Sequence, residues 1–118
     1  MLLEDDPVLT NLFGMLIEEA KFECVPIGTT AGFWKLFSTE LAAVIVDDEV
    51  CGSSFISDGG GSNIMKIREL APAMPIGLNS SYPKRDMAER YRCVDLRKDK
   101  QEIISFLRAV QVRYVRQT

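Results

Sequence analysis

Histidine is absent from this chain. Its absence removes His-based triads, His zinc sites and phosphohistidine chemistry within the chain itself. Cysteine is scarce. Cys24, Cys51 and Cys93 lie far apart and are odd in number, which fits neither CxxC zinc pairs nor a disulfide framework. They read as small buried hydrophobes in a reducing compartment, so a cytoplasmic protein is expected. No apolar run approaches the ~18 residues of a membrane span. The opening Met1-Leu2-Leu3-Glu4-Asp5-Asp6 has no basic n-region, so no signal peptide is expected. A basic stripe is missing too. The net charge is -3, which argues against nucleic-acid binding as the main task.

What remains is a globular composition. Hydrophobic residues make up 47% and charged residues 26%, which excludes a disordered chain. A length of 118 residues suits one domain spanning residues 1–118, with room for a two-layer core and none for a second catalytic domain.

Strand-like and helix-like patterns alternate. Leu2-Leu3 forms a short apolar strand that stops at an acidic triplet. Asp5 or Asp6 can cap a helix that starts at Pro7. Leu9, Leu12, Phe13, Leu16 and Ile17 then recur at helical spacing. Cys24-Val25-Pro26-Ile27 reads as a strand, and its proline suggests a sheet edge. Thr29 or Thr30 can cap a second helix carrying Phe33, Trp34 and Phe37. Leu41-Ala42-Ala43-Val44-Ile45-Val46 is a continuous apolar run, as in a central parallel strand buried on both faces. Residues 52–63 are rich in glycine and serine and read as a long loop. A short third helix (Ile64, Met65, Ile67, Leu70) leads to a fourth strand, Pro75-Ile76-Gly77-Leu78. Residues 83–91 make a stunted helix, and Cys93-Val94-Asp95-Leu96 a fifth strand. From Lys100 a final helix places Ile103, Ile104, Leu107, Val110 and Tyr114 on one face. Helical crossovers between parallel strands imply an α/β fold, a doubly wound five-stranded parallel sheet with helices on both faces.

Function in such sheets sits at the carboxyl ends of the strands. There the first strand ends in Glu4-Asp5-Asp6, the third in Asp47-Asp48-Glu49 and the fourth in Asn79-Ser80-Ser81. The first and third strands of a doubly wound sheet are neighbours, so two acidic clusters meet at one edge. Crowded carboxylates raise one another's pKa. A hard divalent cation such as Mg²⁺ relieves that repulsion. A carboxylate beside such a cation can also attack phosphorus and form an aspartyl phosphate. Acidic residues after strands are also ordinary turn formers and helix caps. The coincidence of two triplets at the required edge favours the chemical reading.

Leu2-Leu3-Glu4-Asp5-Asp6-Pro7, Val44-Ile45-Val46-Asp47 and a hydroxyl after the fourth strand resemble the receiver domain of two-component response regulators, over nearly the whole chain. The resemblance implies a flavodoxin-like fold with strand order 2-1-3-4-5. It implies a phosphoprotein that takes a phosphoryl group onto Asp47 from a sensor histidine kinase or phosphotransfer protein. Asp5 would be a direct Mg²⁺ ligand and Glu4 would act through water. Asp47 would also ligate the metal, and the Glu49 carbonyl would complete its shell. Ser80 would bond the phosphoryl group. Lys98 or Arg97 would fill the family's lysine position, which a proline usually follows; no proline stands here. Such a domain is not an enzyme beyond its own Mg²⁺-assisted phosphorylation and dephosphorylation. It works with an output domain or as a homodimer, without contact to nucleic acid or membrane.

Several positions depart from the family. Cys51 replaces a proline often found four residues after the phosphoacceptor. The segment 52–61 is longer than usual, and the span from Ser80 to Lys98 is shorter. No residue clearly matches the aromatic switch position; Tyr91 lies nearby. A degenerate receiver that only binds proteins is therefore a second reading. A small Mg²⁺-dependent phosphohydrolase with Asp47 as nucleophile is a third.

Other features have plainer readings. Gly59-Gly60-Gly61 lacks the lysine and the strand context of a phosphate cradle. Phe55 and Ile56 suit local packing, and Trp34 a core position with its N–H at the rim. Asp6 and Asp48 add negative potential. Arg108, Arg113 and Arg116 suit a solvated helix end.

Overall fold

The structure, a computed structural model, describes residues 1–56 and 62–117. The main sheet has five parallel strands: β1 (Leu2–Leu3), β2 (Pro26–Ile27), β3 (Val44–Val46), β6 (Ile76–Leu78) and β7 (Val94–Asp95). Between β3 and β6 lie two short strands, β4 (Glu49–Val50) and β5 (Ser53–Ser54). The helices are α1 (Pro7–Glu19), α2 (Thr30–Leu36), α3 (Ser62–Leu70), α4 (Arg85–Tyr91) and α5 (Lys100–Gln117). The sheet order is β2-β1-β3-β6-β7, every pair parallel. This is the doubly wound order 2-1-3-4-5 of the five principal strands.

Period-2 geometry explains why so few strand residues suffice. Leu3, Val44, Val46, Ile76 and Leu78 point to one layer, where Phe33 of α2 and Ile64 and Ile67 of α3 cover them. Leu2 and Ile45 point to the other layer. There they meet Phe13, Leu16 and Ile17 of α1 and Ile103, Phe106, Leu107 and Val110 of α5. The continuous apolar run of the third strand is thus needed on both faces, although regular strand is confined to Val44–Val46. Leu12 is an exception to the helical reading of α1, because it is exposed.

Local chemistry sets the element ends. Asp6, not Asp5, caps α1, its Oδ1 accepting the N–H groups of Val8 (2.9 Å) and Leu9 (3.4 Å). Thr29 caps α2 by accepting the Gly32 N–H at 2.9 Å. Asp99 accepts from Gln101 and Glu102 at the start of α5. Pro26 lies on the edge strand, where it removes no ladder donor from the interior.

Residues 52–63 do not form one long loop. β4 and β5 pair antiparallel, Glu49 with Ser54 and Val50 with Ser53. Cys51 and Gly52 turn the hairpin with φ of 51° and 79°, the positive φ pair that a tight two-residue connection requires. Val50, Phe55 and Ile56 are buried in the α2/α3 layer. Phe55 stacks against Trp34 with ring centroids 6.3 Å apart. Trp34 is half-buried, and its Nε1–H donates to Asn63 Oδ1 at 3.1 Å. Gly59-Gly60-Gly61 and the side chains beyond Arg113 lie outside the described residues.

Gly77 lies in β6 where the sheet is closely packed against Leu96 and Phe106. A Cβ there would stand 2.5 Å from Leu96 Cδ1 and 3.4 Å from Phe106 Cε2. Leu96 is fully buried, so its methyl has nowhere to retreat. Gly77→Ala is expected to destabilise the fold by about 1–3 kcal/mol through overpacking, read as a lower urea midpoint with unchanged slope.

Candidate functional site

Register brings the acidic segments together. Leu3 pairs with Val46 and Val46 with Leu78, so Glu4, Asp47 and Asn79 stand side by side one step beyond the strands. The Asp47 N–H donates to the Leu3 carbonyl at 3.0 Å, and the Asn79 N–H to the Val46 carbonyl at 2.8 Å. The backbone ladder therefore fixes the first atoms of the site, and the side chains follow from it.

Glu4, Asp5 and Asp47 each offer a carboxylate oxygen, all within 4.8 Å of one another. Glu4 is 3% and Asp47 4% exposed, whereas Asp5 is open to solvent. Lys98 reaches in from the end of β7. Its Nζ lies 3.3 Å from Asp47 Oδ2 and 3.4 Å from Glu4 Oε1. Of the two basic residues Lys98 enters the cluster, whereas Arg97 turns away, its Nε 3.6 Å from Asp95 Oδ2. Both residues have positive φ, 52° and 54°. That conformation costs non-glycine residues ~1–2 kcal/mol each.

The remaining predicted residues divide. Ser80 is buried beside the acids and accepts the Tyr82 N–H on its Oγ at 3.3 Å. The Glu49 side chain is exposed on the hairpin, and its carboxylate is outside the acidic cluster. Asp48 and Asp6 do more than add negative potential. Asp6 caps α1. Asp48 anchors the hairpin, accepting from Ser54 Oγ (2.7 Å) and the Ile56 N–H (3.1 Å) and pairing with Lys84 Nζ at 2.9 Å. Asp5 ties the hairpin from the other side by accepting the Cys51 N–H at 3.0 Å. An open cavity of about 240 Å³ results, bordered by Asp47, Glu49, Ser54, Ser80, Tyr82 and Lys98. Larger cavities of about 390 and 590 Å³ border Pro72, Met74, Pro75 and Val110, at the other end of the strands. Of the carboxylate cluster, Asp47 borders the smaller cavity, together with Lys98.

Lys84 and Asn79 were not singled out as working residues from sequence. Asn79 is 1% exposed at the end of an apolar strand, and its Oδ1 accepts the Lys98 N–H at 2.9 Å. An amide closing an apolar strand is a readable signal, because most polar groups buried in such a position take a partner.

Burial raises the Glu4 pKa to about 7, and the Asp47 carboxylate pushes in the same direction against the Asp6 N–H and Lys98. Burial works against the Lys98 ammonium, yet the carboxylates of Asp47 and Glu4 outweigh it and raise its pKa. Between pH 4.5 and about 7 the folded protein holds the Glu4 proton that the unfolded chain has released. Stability from this group therefore falls as pH rises through that window. In metal-free buffer Glu4→Gln is expected to be more stable than the parent at pH 8. The two should converge near pH 4.5, a comparison read by urea melts at both pH values.

No family model matches the chain, and no curated protein does. Solved structures do match it, among them the crystal structure of adenylate cyclase from Rhodopirellula baltica. That match has a TM-score of 0.60 at 14% identity and covers 98% of this chain and 91% of that one. A likeness at that identity carries the fold and no activity. No helix among the described residues is long and apolar enough to cross a membrane. The chain is an α/β protein of flavodoxin-like, doubly wound architecture, with an acidic cluster and Lys98 at the carboxyl edge of its sheet.

Proposed function

We propose that the chain is a phosphoacceptor receiver domain of two-component signalling and that Asp47 is the acceptor. The observation that carries this reading is the convergence of Glu4, Asp5 and Asp47 on one point, with the Lys98 ammonium 3.3 Å from Asp47. Asp47 Oδ1 is held by the Asp48 N–H at 2.8 Å, which fixes the rotation of the carboxylate. An Asp47 oxygen attacks the phosphorus of a phosphohistidine on a sensor kinase or phosphotransfer protein. The O–P bond forms, the P–N bond breaks, and the imidazole leaves with its electron pair. Lys98 pairs with the phosphoryl oxygens as their charge develops, and the Ser80 hydroxyl donates to one of them. Hydrolysis of the acyl phosphate returns the carboxylate, so the domain is a switch rather than an enzyme acting on other molecules.

The donor set suits Mg²⁺. It consists of hard oxygens only, in a half-open site: Glu4 and Asp47 are buried, Asp5 is exposed, and their carboxylate oxygens lie within 4.8 Å of one another. Glu4, Asp5 and Asp47 would hold the ion, which when bound offsets negative charge on the transferring phosphoryl group. The Glu49 carbonyl assigned to its shell by resemblance belongs to this proposal as well.

The hairpin and the short α4 favour a second reading, a receiver fold that serves protein contact alone. Incubation with Mg²⁺ and acetyl phosphate, followed by mass spectrometry of the Asp47 peptide, separates the two. A single Mg²⁺-dependent phosphate on Asp47 is expected. A folded protein with no adduct and no Mg²⁺ response would sink the phosphoacceptor reading in favour of the binding module. Turnover of a small phosphate ester would favour the phosphohydrolase reading instead.

A further inference from the structure

We infer that Asn79 is a positioning residue for Lys98, holding the lysine backbone so that its ammonium stands at the phosphoacceptor. This deepens the receiver reading and rests on it. Lys98 needs such a holder. It and Arg97 are consecutive non-glycine residues with positive φ, and such backbone persists only where its surroundings over-determine it. No proline follows Lys98 to stiffen the turn. Several contacts hold its flanks. Leu96 is fully buried, the Asp99 N–H donates to the Leu96 carbonyl at 3.0 Å, and Arg97 pairs with Asp95. Asn79 holds the lysine itself, through the 2.9 Å bond from the Lys98 N–H to its Oδ1. Only the amide oxygen can accept that proton, so the orientation of the Asn79 amide is fixed.

Packing does not explain an asparagine here. Asn79 is 1% exposed and follows Ile76-Gly77-Leu78. Its Nδ2 is buried without a partner among the described residues. A leucine of similar size would remove that unmatched donor. The unmatched donor is a stability cost, and among the described residues Asn79 Oδ1 holds the lysine that bridges Asp47 and Glu4. The lever is direct: Asn79 sits one step beyond β6, next to Asp47 beyond β3, so acceptor and cation are placed by the same pair of strands.

The test compares the full chain with Asn79→Leu, Lys98→Ala and the double variant. Asn79→Ser, which withdraws the amide oxygen without adding bulk, serves if the leucine variant does not fold. Two quantities are read: amide exchange at Lys98 by NMR, and the rate of phosphorylation by acetyl phosphate with Mg²⁺. In Asn79→Leu the Lys98 amide is expected to lose about tenfold or more in protection, as for a lost native hydrogen bond. Its phosphorylation is expected to slow about 10–100-fold, the range for a misplaced reacting group. The double variant should be no slower than Lys98→Ala, because the effect of Asn79 passes through the lysine. Additive losses, or unchanged exchange at Lys98, would overturn the assignment. If the parent protein takes up no phosphate, the receiver reading fails separately. Exchange then judges the hold on Lys98: lost protection supports it, and retained protection overturns it.

Discussion

Asp47→Asn is expected to yield a folded protein that takes up no phosphate from acetyl phosphate, with or without Mg²⁺. The substitution keeps the shape of the side chain and one oxygen, but an amide oxygen is not a nucleophile toward phosphorus. Loss of the adduct should not be loss of the fold. Asp47 sits at the end of β3, its N–H is bonded to the Leu3 carbonyl, and neither core layer includes it. Removing its charge also relieves the repulsion that helps raise the Glu4 pKa. In metal-free buffer near pH 8 the variant is therefore expected to melt at or above the parent temperature. The response to metal should diverge. Mg²⁺ at ~100 times its Kd should stabilise the parent by about 2.7 kcal/mol through mass action. Asp47→Asn should gain much less, having lost one of three carboxylates. Calorimetric melts with and without Mg²⁺ check this alongside mass spectrometry. A phosphate that persists in Asp47→Asn would place the acceptor elsewhere.

Lys98→Ala is expected to slow phosphorylation by about 10²–10³-fold, the usual effect of deleting one group aimed at developing charge. The lysine is the sole cation within the cluster among the described ion pairs: Nζ lies 3.3 Å from Asp47 and 3.4 Å from Glu4. Arg97→Ala provides the contrast. Its side chain is 49% exposed and pairs with Asp95 at 3.6 Å. Loss of so exposed an ion pair should change the rate by about threefold at most. Stopped-flow with Trp34 as reporter can follow both variants, because the indole packs on Phe55 at the base of the hairpin. Equal effects of the two substitutions would contradict the arrangement at the end of β7. Lys98→Ala should also leave Glu4 and Asp47 without their cation, so it is expected to respond to Mg²⁺ with a larger gain in stability than the parent.

Much of this site was legible because its elements announce themselves locally. Val44-Ile45-Val46 is apolar at every position because both faces are covered, and that places Asp47 at a strand end. Leu2-Leu3 before Glu4-Asp5-Asp6 works the same way. The hairpin at residues 49–54 was not legible. Its strands are two residues long, too short for an alternating pattern, and Asp48 and Asp5 hold it from outside. Asp48 itself read as one more rim acid, since nothing local to it says that Lys84, thirty-six positions on, would become its partner. Asn79 carried a signal, an amide closing an apolar strand, whose purpose depended on where β7 would end.

The amino-acid sequence alone determined the alternation of the five principal strands with the five helices, the absence of histidine chemistry and the acidic triplets at strand ends. Each of these follows from short-range pattern: apolar period, caps and charge. Tertiary structure alone decided which of two adjacent basic residues enters the site. Arg97 and Lys98 are neighbours with the same sign of charge, and composition cannot rank them. Two backbone torsions and one amide 19 positions away in sequence aim Lys98 at Asp47 and Arg97 at Asp95. Those contacts exist only once β3, β6 and β7 lie side by side.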